Sequence, residues 1–268
     1  KQRIDVQRAL AEERSSKYDE LTQVAESEID AGRPALFRLA EIEGERAELA
    51  RTLVELEGQV AQIDARLIDL LGNVPAIEPP PLAPLDWSGD AMAFHATRVA
   101  DAAITVRDRG IDEAKAAWKP EWGAQLTYQQ RESGVNFAGD DWVSGMVTVT
   151  VPFWANKSQE PRLRAAKAER AAAHANYMAA ARTAAAQYST YRSMRQTAEA
   201  NVMVLSQKIT AIEDEMAAQL TVYESGVGDY APIIDGEIAI LKLRSDIVAE
   251  EARLATATAR MNALLVTL

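Results

Sequence analysis

The sequence has no cysteine among its 268 residues, so disulfide bonds and thiolate metal sites are excluded. Aromatic residues make up only 6% of the chain. Alanine is abundant, a composition that favours closely packed helices over a globular core built from large side chains. The net charge is −11 and no basic run is present. This argues against nucleic acid as a partner, because phosphate binding needs a basic patch.

Long hydrophobic runs are also missing, and no stretch approaches the roughly 20 apolar residues of a membrane-spanning helix. The GVG at 226–228 has no Lys-Ser/Thr after it, so it is not a phosphate loop, and no G-x-S-x-G setting surrounds any serine. The two histidines, His95 and His174, have no second ligand at metal-binding spacing. We therefore expect no enzyme, no cofactor and no bound metal.

The first 71 residues predict a pair of antiparallel helices. Apolar residues recur at spacings of three and four, which is typical of a coiled-coil seam. "DAGRPAL" interrupts the pattern, and Gly32 and Pro34 predict a tight turn there. Gly72 is expected to end the second helix. The seam consists of Val24, Leu36, Leu39, Ile42, Leu49, Leu53, Leu56, Val60, Ile63, Leu67 and Leu70.

The next segment, "NVPAIEPPPLAPLD", has five prolines and reads as an extended connector. Ser88 is then a candidate helix N-cap, and residues 89–118 predict one or two shorter helices, with Gly110 as a possible break.

A strand pair stands in the middle of this helical sequence. Residues 122–131 and 143–153 alternate strictly between apolar and polar, which indicates a sheet with one apolar face. Each run has about ten residues, the length of a tilted transmembrane strand. The same alternation also fits a half-buried hairpin of a soluble sheet. However, an isolated hairpin is not stable in water, so it needs partner strands from outside this chain.

After the strand pair, "NKSQEPRLRAAKAERAAAHANY" begins a helix of about 65 residues, a rod near 100 Å long at 1.5 Å per residue. Pro161 is expected in its first turn. "YESGVGDYAPII" ends this helix, and a further helix extends from about Asp229 to Leu268.

The two helical breaks are related by an internal repeat with an offset of 194 residues. No strand pair precedes the first helical hairpin, so the repeat predicts that this chain is an N-terminally trimmed piece of a longer protein. The identities are Gly32/Gly226, Glu43/Glu237, Leu49/Leu243, Glu57/Glu251, Ala61/Ala255, Ala65/Ala259, Arg66/Arg260, Leu70/Leu264 and Leu71/Leu265.

In its strand pair and in both helical breaks, the chain resembles the TolC-type outer membrane factors, and most closely their heavy-metal efflux branch (CusC and CzcC). The resemblance rests on "KPEWGAQLTYQQRESG…DDWVSGMVTVTVPFW", "RLRAAKAERAAAHANY", "VYESGVGDYAPIIDGEIAILKLRSDI" and "SEIDAGRPALFRLAEIEGERAEL". It implies a mainly α fold with a small β part: long antiparallel coiled-coil hairpins plus a membrane-type β-hairpin, assembled as a homotrimeric barrel and tunnel.

The resemblance also implies a function: an exit duct of a tripartite efflux system for heavy-metal cations. The duct would lie in the Gram-negative outer membrane, with its helices in the periplasm. Its partners would be a periplasmic adaptor, an inner-membrane RND pump and outer membrane lipid. Four parts follow: 1–72 as a partial first helical hairpin, 73–120 as connector and equatorial helices, 121–154 as barrel strands, and 155–268 as the second helical hairpin.

The resemblance assigns roles to three sets of residues. Asp235 matches an aperture aspartate and Glu41 is its repeat equivalent, whereas Pro232 replaces a second aperture aspartate. A carboxylate on a solvated helix face is the alternative for Asp235. The adaptor-contacting tips would be Gly32, Arg33, Tyr223, Gly226 and Gly228. The lipid-facing residues would be Trp122, Leu126, Tyr128, Val147, Val149, Val151 and Phe153.

A soluble periplasmic coiled-coil adaptor or scaffold is the alternative function, since such proteins also contain helical hairpins. Adaptors usually carry more strands than this sequence predicts.

Overall fold

The computed structural model describes residues 2–32, 36–73, 82–130, 141–151 and 155–266. Helices α1 (Gln2–Asp30) and α2 (Leu36–Leu71) come first, followed by α3 (His95–Ala116). Strands β1 (Glu121–Gln129) and β2 (Trp142–Thr150) follow, and then α4 (Ala155–Glu224) and α5 (Ala231–Leu264). The chain divides into two compact units, Lys1–Leu85 with Tyr188–Ala263, and Asp86–Gln187 with Leu264–Leu268.

The first unit has an apolar core shared by α1, α2 and α5. The predicted seam on α2 is confirmed at its centre, where Ile42, Leu49 and Leu56 are buried seven residues apart. It is wrong at both ends, where Leu36 and Leu70 are exposed. The core residues are Ala11, Tyr18, Leu21, Ala25, Ile42, Leu49, Ala231, Ile234 and Ile238.

Polar contacts fix how these helices lie against each other. The Tyr18 hydroxyl of α1 donates to Glu45 of α2 at 3.0 Å. Arg46 of α2 pairs with Asp19 of α1 at 2.7 Å. These contacts join positions equally distant from the turn at Gly32, so α1 and α2 form the expected antiparallel hairpin.

The C-terminal half of α4 packs through a seam of its own. Every residue of this seam is buried or half-buried, and the residues between them are exposed. The spacing alternates between three and four, the period of a left-handed coiled coil. The seam consists of Tyr188, Tyr191, Arg195, Ala198, Val202, Leu205, Ile209, Ile212, Met216 and Gln219.

The end of the proline-rich connector is held against the helices of the first unit. The Asn262 amide of α5 donates to the Ala83 carbonyl at 2.8 Å and accepts from the Leu85 amide at 2.9 Å. The Tyr188 hydroxyl of α4 donates to the Leu85 carbonyl at 2.9 Å. Most of the prolines (residues 74–81) lie outside the described residues.

The second unit contains α3, the strand pair and the first part of α4. Arg107 and Asp108 of α3 pair with Glu169 and Arg170 of α4 at 3.0 and 3.2 Å. The fully buried Phe94 forms an isolated β-bridge with Leu265.

Three local expectations are corrected here. Gly110 does not break α3, because a helix tolerates one glycine at a cost of about 1 kcal/mol. Ser88 is not the helix cap; Asp90 caps a short 3₁₀ turn, Ala91–Ala93, that precedes α3. Pro161 lies in the second turn of α4 rather than the first, because the helix already begins at Ala155.

Candidate functional site

The helices that lead into the two tips end in the same way. Gly32 and Gly226 both adopt a φ of +78°, which residues with a side chain rarely adopt. The Gly32 amide donates to the Ile29 carbonyl at 2.8 Å, and the Gly226 amide donates to the Tyr223 carbonyl at 2.9 Å. These are equivalent positions at the offset of 194, so the structure supports the repeat at both tips.

An aromatic pair stabilises the second tip. The rings of Tyr223 and Tyr230 lie 5.2 Å apart between centroids. A side chain at Gly228 would lie only 3.0 Å from the Tyr223 backbone nitrogen, so the loop needs a glycine there. Val227, between the two glycines, is 84% exposed. Arg33, the remaining predicted tip residue, lies outside the described residues.

Asp235 forms an ion pair that sequence reasoning missed. Its Oδ2 atom lies 2.5 Å from Nη2 of Arg38 on α2. Arg38 precedes Glu41 by three residues, so both lie near the start of α2. The structure therefore brings Asp235 to the start of α2, but its bonded partner there is a cation rather than Glu41.

A second cross-helix ion pair lies next to the first. Lys17 of α1 contacts Glu237 of α5 at 2.8 Å and Glu20 at 3.1 Å. The hydrogen bond to Glu237 raises the pKa of Lys17 above its ordinary value. The charged residues along α1 and α2 signal in the sequence that ion pairs can form. They do not identify the partners, which are about 200 residues away in sequence.

The strand pair is antiparallel, and its register pairs apolar residues of β1 with apolar residues of β2. Trp122 faces Val149, Ala124 faces Val147, and Tyr128 faces Val143. Residues directly opposite each other point to the same side of a sheet, so these pairs form one apolar face. The other face carries Gln125, Thr127, Ser144 and Thr148 in facing or diagonal positions, with Met146 opposite Gln125.

The apolar face is uncovered in the single chain. Trp122 is 72% exposed and Leu126 is 78% exposed. Val147, Val149 and Val151 are also exposed, and Val151 lies just beyond β2. Phe153, the last predicted lipid-facing residue, lies outside the described residues.

Side-chain hydrogen bonds join the two strands at the end of the pair that lies next to the connecting loop. The Tyr128 hydroxyl donates to Asp141 at 2.5 Å, and the Trp142 indole donates to Gln129 at 2.9 Å. Trp142 thus lies on the polar side of the sheet, opposite Gln129.

A sequence model of outer membrane efflux proteins matches residues 95–266. The chain belongs to the outer membrane efflux protein family. No curated protein matches the chain in sequence.

Solved structures share the fold. A membrane protein from Pseudomonas aeruginosa matches with a TM-score of 0.79 at 17% identity, over 99% of this chain and 65% of its own. CusC matches with a TM-score of 0.79 at 16% identity, over 99% of this chain and 66% of its own. The open-state MtrE channel of Neisseria gonorrhoeae matches with a TM-score of 0.74 at 17% identity, over 98% of this chain and 64% of its own. The chain thus spans about two thirds of the length of these proteins.

Two further observations concern the described residues only. Within the described ranges, no helix carries an apolar stretch long enough to cross a lipid bilayer. In the same part of the chain, no group of His, Cys, Asp and Glu side chains is arranged to hold a metal ion. The family's established character is transport rather than catalysis.

Proposed function

We propose that this chain forms the exit duct of a tripartite efflux system in the outer membrane, as a homotrimer. The observation that carries the proposal is the strand pair. One of its faces is continuous, apolar and exposed, and its two outer edges have no strand partner within the described residues. Lipid tolerates strands only in closed barrels, so copies of the pair would have to close a barrel together.

The four-part division of the chain remains part of this proposal. Residues 1–72 and 155–268 would form the periplasmic helical hairpins, 73–120 the equatorial region, and 121–154 the barrel strands. The tips would contact a periplasmic adaptor and, through it, an inner-membrane RND pump. Gly32, Arg33, Tyr223, Gly226 and Gly228 remain the proposed contact residues, supported by the exposed, glycine-dependent turns at both tips.

The ion pair between Arg38 and Asp235 changes the charge of the proposed gate. Asp235 and Glu41 would still line the aperture, but Arg38 compensates the charge of Asp235 and links the two helical hairpins of one chain. Opening would require α5 to move away from α2, and this ion pair would have to break in that movement.

The proposed cargo is heavy-metal cations such as copper, silver, zinc or cobalt. The likeness of the strand-pair sequence to the heavy-metal branch supports this, and the net charge of −11 suits a duct for cations.

The experiment is light scattering coupled to size exclusion, in detergent and in plain buffer. It uses the purified chain. A trimer that requires detergent is expected. A monomer or dimer that is indifferent to detergent would contradict the duct and favour the scaffold.

A further inference from the structure

The charge of the chain is unevenly distributed, and one basic segment lies at the start of α4. The whole chain carries a net charge of −11. Residues 157–170 nevertheless contain five basic and two acidic side chains, which gives this segment a net charge of +3. Other residues separate most of these cations, so the sequence shows no basic run. The segment therefore differs in sign from the molecule as a whole.

Only part of this charge is neutralised inside the fold. Arg170 pairs with Asp108 of α3 at 3.2 Å, and Glu169 pairs with Arg107 of α3 at 3.0 Å. The four other cations are exposed, and none of them forms an ion pair within the part of the chain that the structure describes. We call these four residues the basic collar: Lys157, Arg162, Arg164 and Lys167.

The helix turns part of the collar away from the covered side of α4. Leu163 and Ala166 are half-buried and mark the covered side. Lys157 and Arg164 are one heptad apart, so they lie together on the opposite side of the helix. Glu160 is the one acidic residue between them there. The exposed side of this part of α4 thus keeps an excess of positive charge.

The collar lies at one defined end of the strand pair. Thr150, the last residue of β2, pairs with Glu121, the first residue of β1. Lys157 lies in the first turn of α4, which follows this end of β2. Trp118, 41% exposed, and Trp122, 72% exposed, flank the passage from α3 into β1 at the same end. Exposed tryptophans in such a position are typical of a membrane–water interface.

The length of the collar matches the reach of a charged membrane surface. From Lys157 to Lys167 it extends about 15 Å along the helix. The polar headgroup layer on each side of a bilayer is about 5–7 Å thick. Its charge acts over a further screening length of about 8 Å at physiological salt. With the apolar strand face in the hydrocarbon layer, the first cations would lie among headgroups and the last within their electrostatic reach.

We propose that the basic collar binds the phosphate groups of anionic phospholipids, in the leaflet next to the helices. The guanidinium groups of Arg162 and Arg164 can each donate two hydrogen bonds to phosphate oxygens, whereas Lys157 and Lys167 act as point charges. A lipid surface fits the collar better than a soluble polyanion, because the collar adjoins the apolar strand face and the acidic remainder of the chain repels an extended polyanion. The inference rests on the proposed duct and adds to it the class of lipid that surrounds the duct.

The lipid retained by the purified chain tests this proposal. The chain is captured from micelles of a nonionic detergent that hold equal parts of phosphatidylcholine and phosphatidylglycerol, and both retained lipids are measured by mass spectrometry. Phosphatidylglycerol should be enriched at least about fivefold, the effect of one basic residue at an anionic surface. The enrichment should largely disappear at 1 M salt, where the screening length is about 3 Å.

A variant without three collar cations should lose this enrichment. It combines Lys157→Gln, Arg162→Gln and Arg164→Gln. The matched control removes two arginines and one lysine from exposed positions further along the same helix, so both variants change the net charge equally. The nearest control position lies about 27 Å along the helix from Arg164, well beyond the screening length. The control combines Arg182→Gln, Arg192→Gln and Lys208→Gln.

The expected result is enrichment of phosphatidylglycerol by the wild type and the control, and equal retention of both lipids by the collar variant. Equal enrichment by all three proteins would overturn the inference, and so would equal retention of both lipids by the wild type. A collar variant that changes the ion selectivity of the duct but still enriches phosphatidylglycerol would place the collar in the water-filled lumen and also overturn it.

A separate measurement tests the duct on which the inference rests. The wild type is reconstituted into vesicles of phosphatidylcholine alone, and insertion is measured as resistance to extraction with alkaline carbonate. Insertion without enrichment of phosphatidylglycerol would overturn the role of the collar and leave the duct intact. Failure to insert would instead reject the duct, whatever lipid the chain retains from micelles.

Discussion

Ion pairs join α5 to both helices of the first helical hairpin. Arg38–Asp235 and Lys17–Glu237 both join residues about 200 positions apart. The Asp235 side chain is half exposed, so the pair contributes about 1 kcal/mol or less to stability. Its effect should therefore appear in the position of α5 rather than in folding.

Replacing Asp235 by alanine should raise the leak conductance of the proposed closed trimer, because α5 loses its tie to α2 and the proposed aperture loses a carboxylate. Planar bilayer recordings on the purified chain would measure this. Arg38→Ala should have the same direction, since it breaks the same pair. Unchanged conductance in both variants would remove this pair from the gate.

Tyr18 gives a pH dependence with a definite sign. Burial raises its pKa from 10.0 to about 12, with the hydrogen bond to Glu45 acting in the same direction. The phenol must stay protonated in the folded state, so its contribution is complete below pH 10 and is lost as the pH rises toward 12. The loss could reach about 3 kcal/mol.

Urea unfolding of the wild type and of Tyr18→Phe between pH 8 and pH 11 would test this. The wild type should lose stability faster above pH 10, because Phe has no proton to lose. Below pH 10 the variant should be less stable by about 1 kcal/mol, the value of one hydrogen bond. Parallel pH profiles would show that Tyr18 is not responsible.

Helix α5 lies close to α4 at Gly236. A Cβ atom there would lie 2.5 Å from Cγ and 2.7 Å from Sδ of Met216. Gly236→Ala should thus destabilise the first unit by about 1–2 kcal/mol, because overpacking outweighs the gain in helix propensity. Thermal unfolding followed by circular dichroism would measure the change.

Two variants separate the effect of packing against Met216 from the effect of helix propensity. Met216→Ala should rescue Gly236→Ala, because it removes the clashing atoms. Gly110→Ala in α3 has no neighbouring atom within 4 Å and should stabilise its own unit by up to about 1 kcal/mol. A stabilising Gly236→Ala would show that Met216 moves away without cost.

Val147 and Thr148 are neighbours on β2 that lie on opposite faces of the strand pair, so they serve as test and control positions. Val147→Arg should prevent membrane insertion, since a cation on a lipid-facing strand costs about 2–4 kcal/mol near the bilayer midplane. Thr148→Arg, on the polar face, should still insert. Membrane fractionation of both variants would test the assignment, and equal loss or equal retention would contradict it.

At the scale of the whole molecule, the net charge of −11 predicts a preference for cations. The reversal potential of the open duct should show this preference at 0.1 M salt, where the screening length is about 10 Å. It should largely disappear at 1 M, where that length is about 3 Å. A preference that is independent of salt would place the selectivity in a narrow site instead.

Periodicity and turn residues were sufficient to predict most of this architecture. The breaks at Gly32, Gly72 and Gly226 and the apolar face of the strand pair follow from local chemistry, and the structure agrees with them. The partner of Asp235 could not be predicted, because a charge on one helix does not specify which distant helix lies beside it. Gly110 failed as a helix breaker because the cost of one glycine, about 1 kcal/mol, is too small to interrupt a 22-residue helix.

The open edges of the strand pair have a genetic consequence. In the proposed trimer, a copy with a defective strand pair could still enter the assembly through its intact helices. It would then leave an unpaired edge beside the healthy copies and prevent closure of the barrel they share. Mutations that damage β1 or β2 but spare the helices should therefore be dominant when expressed with the normal gene, whereas mutations that unfold the helices should be recessive.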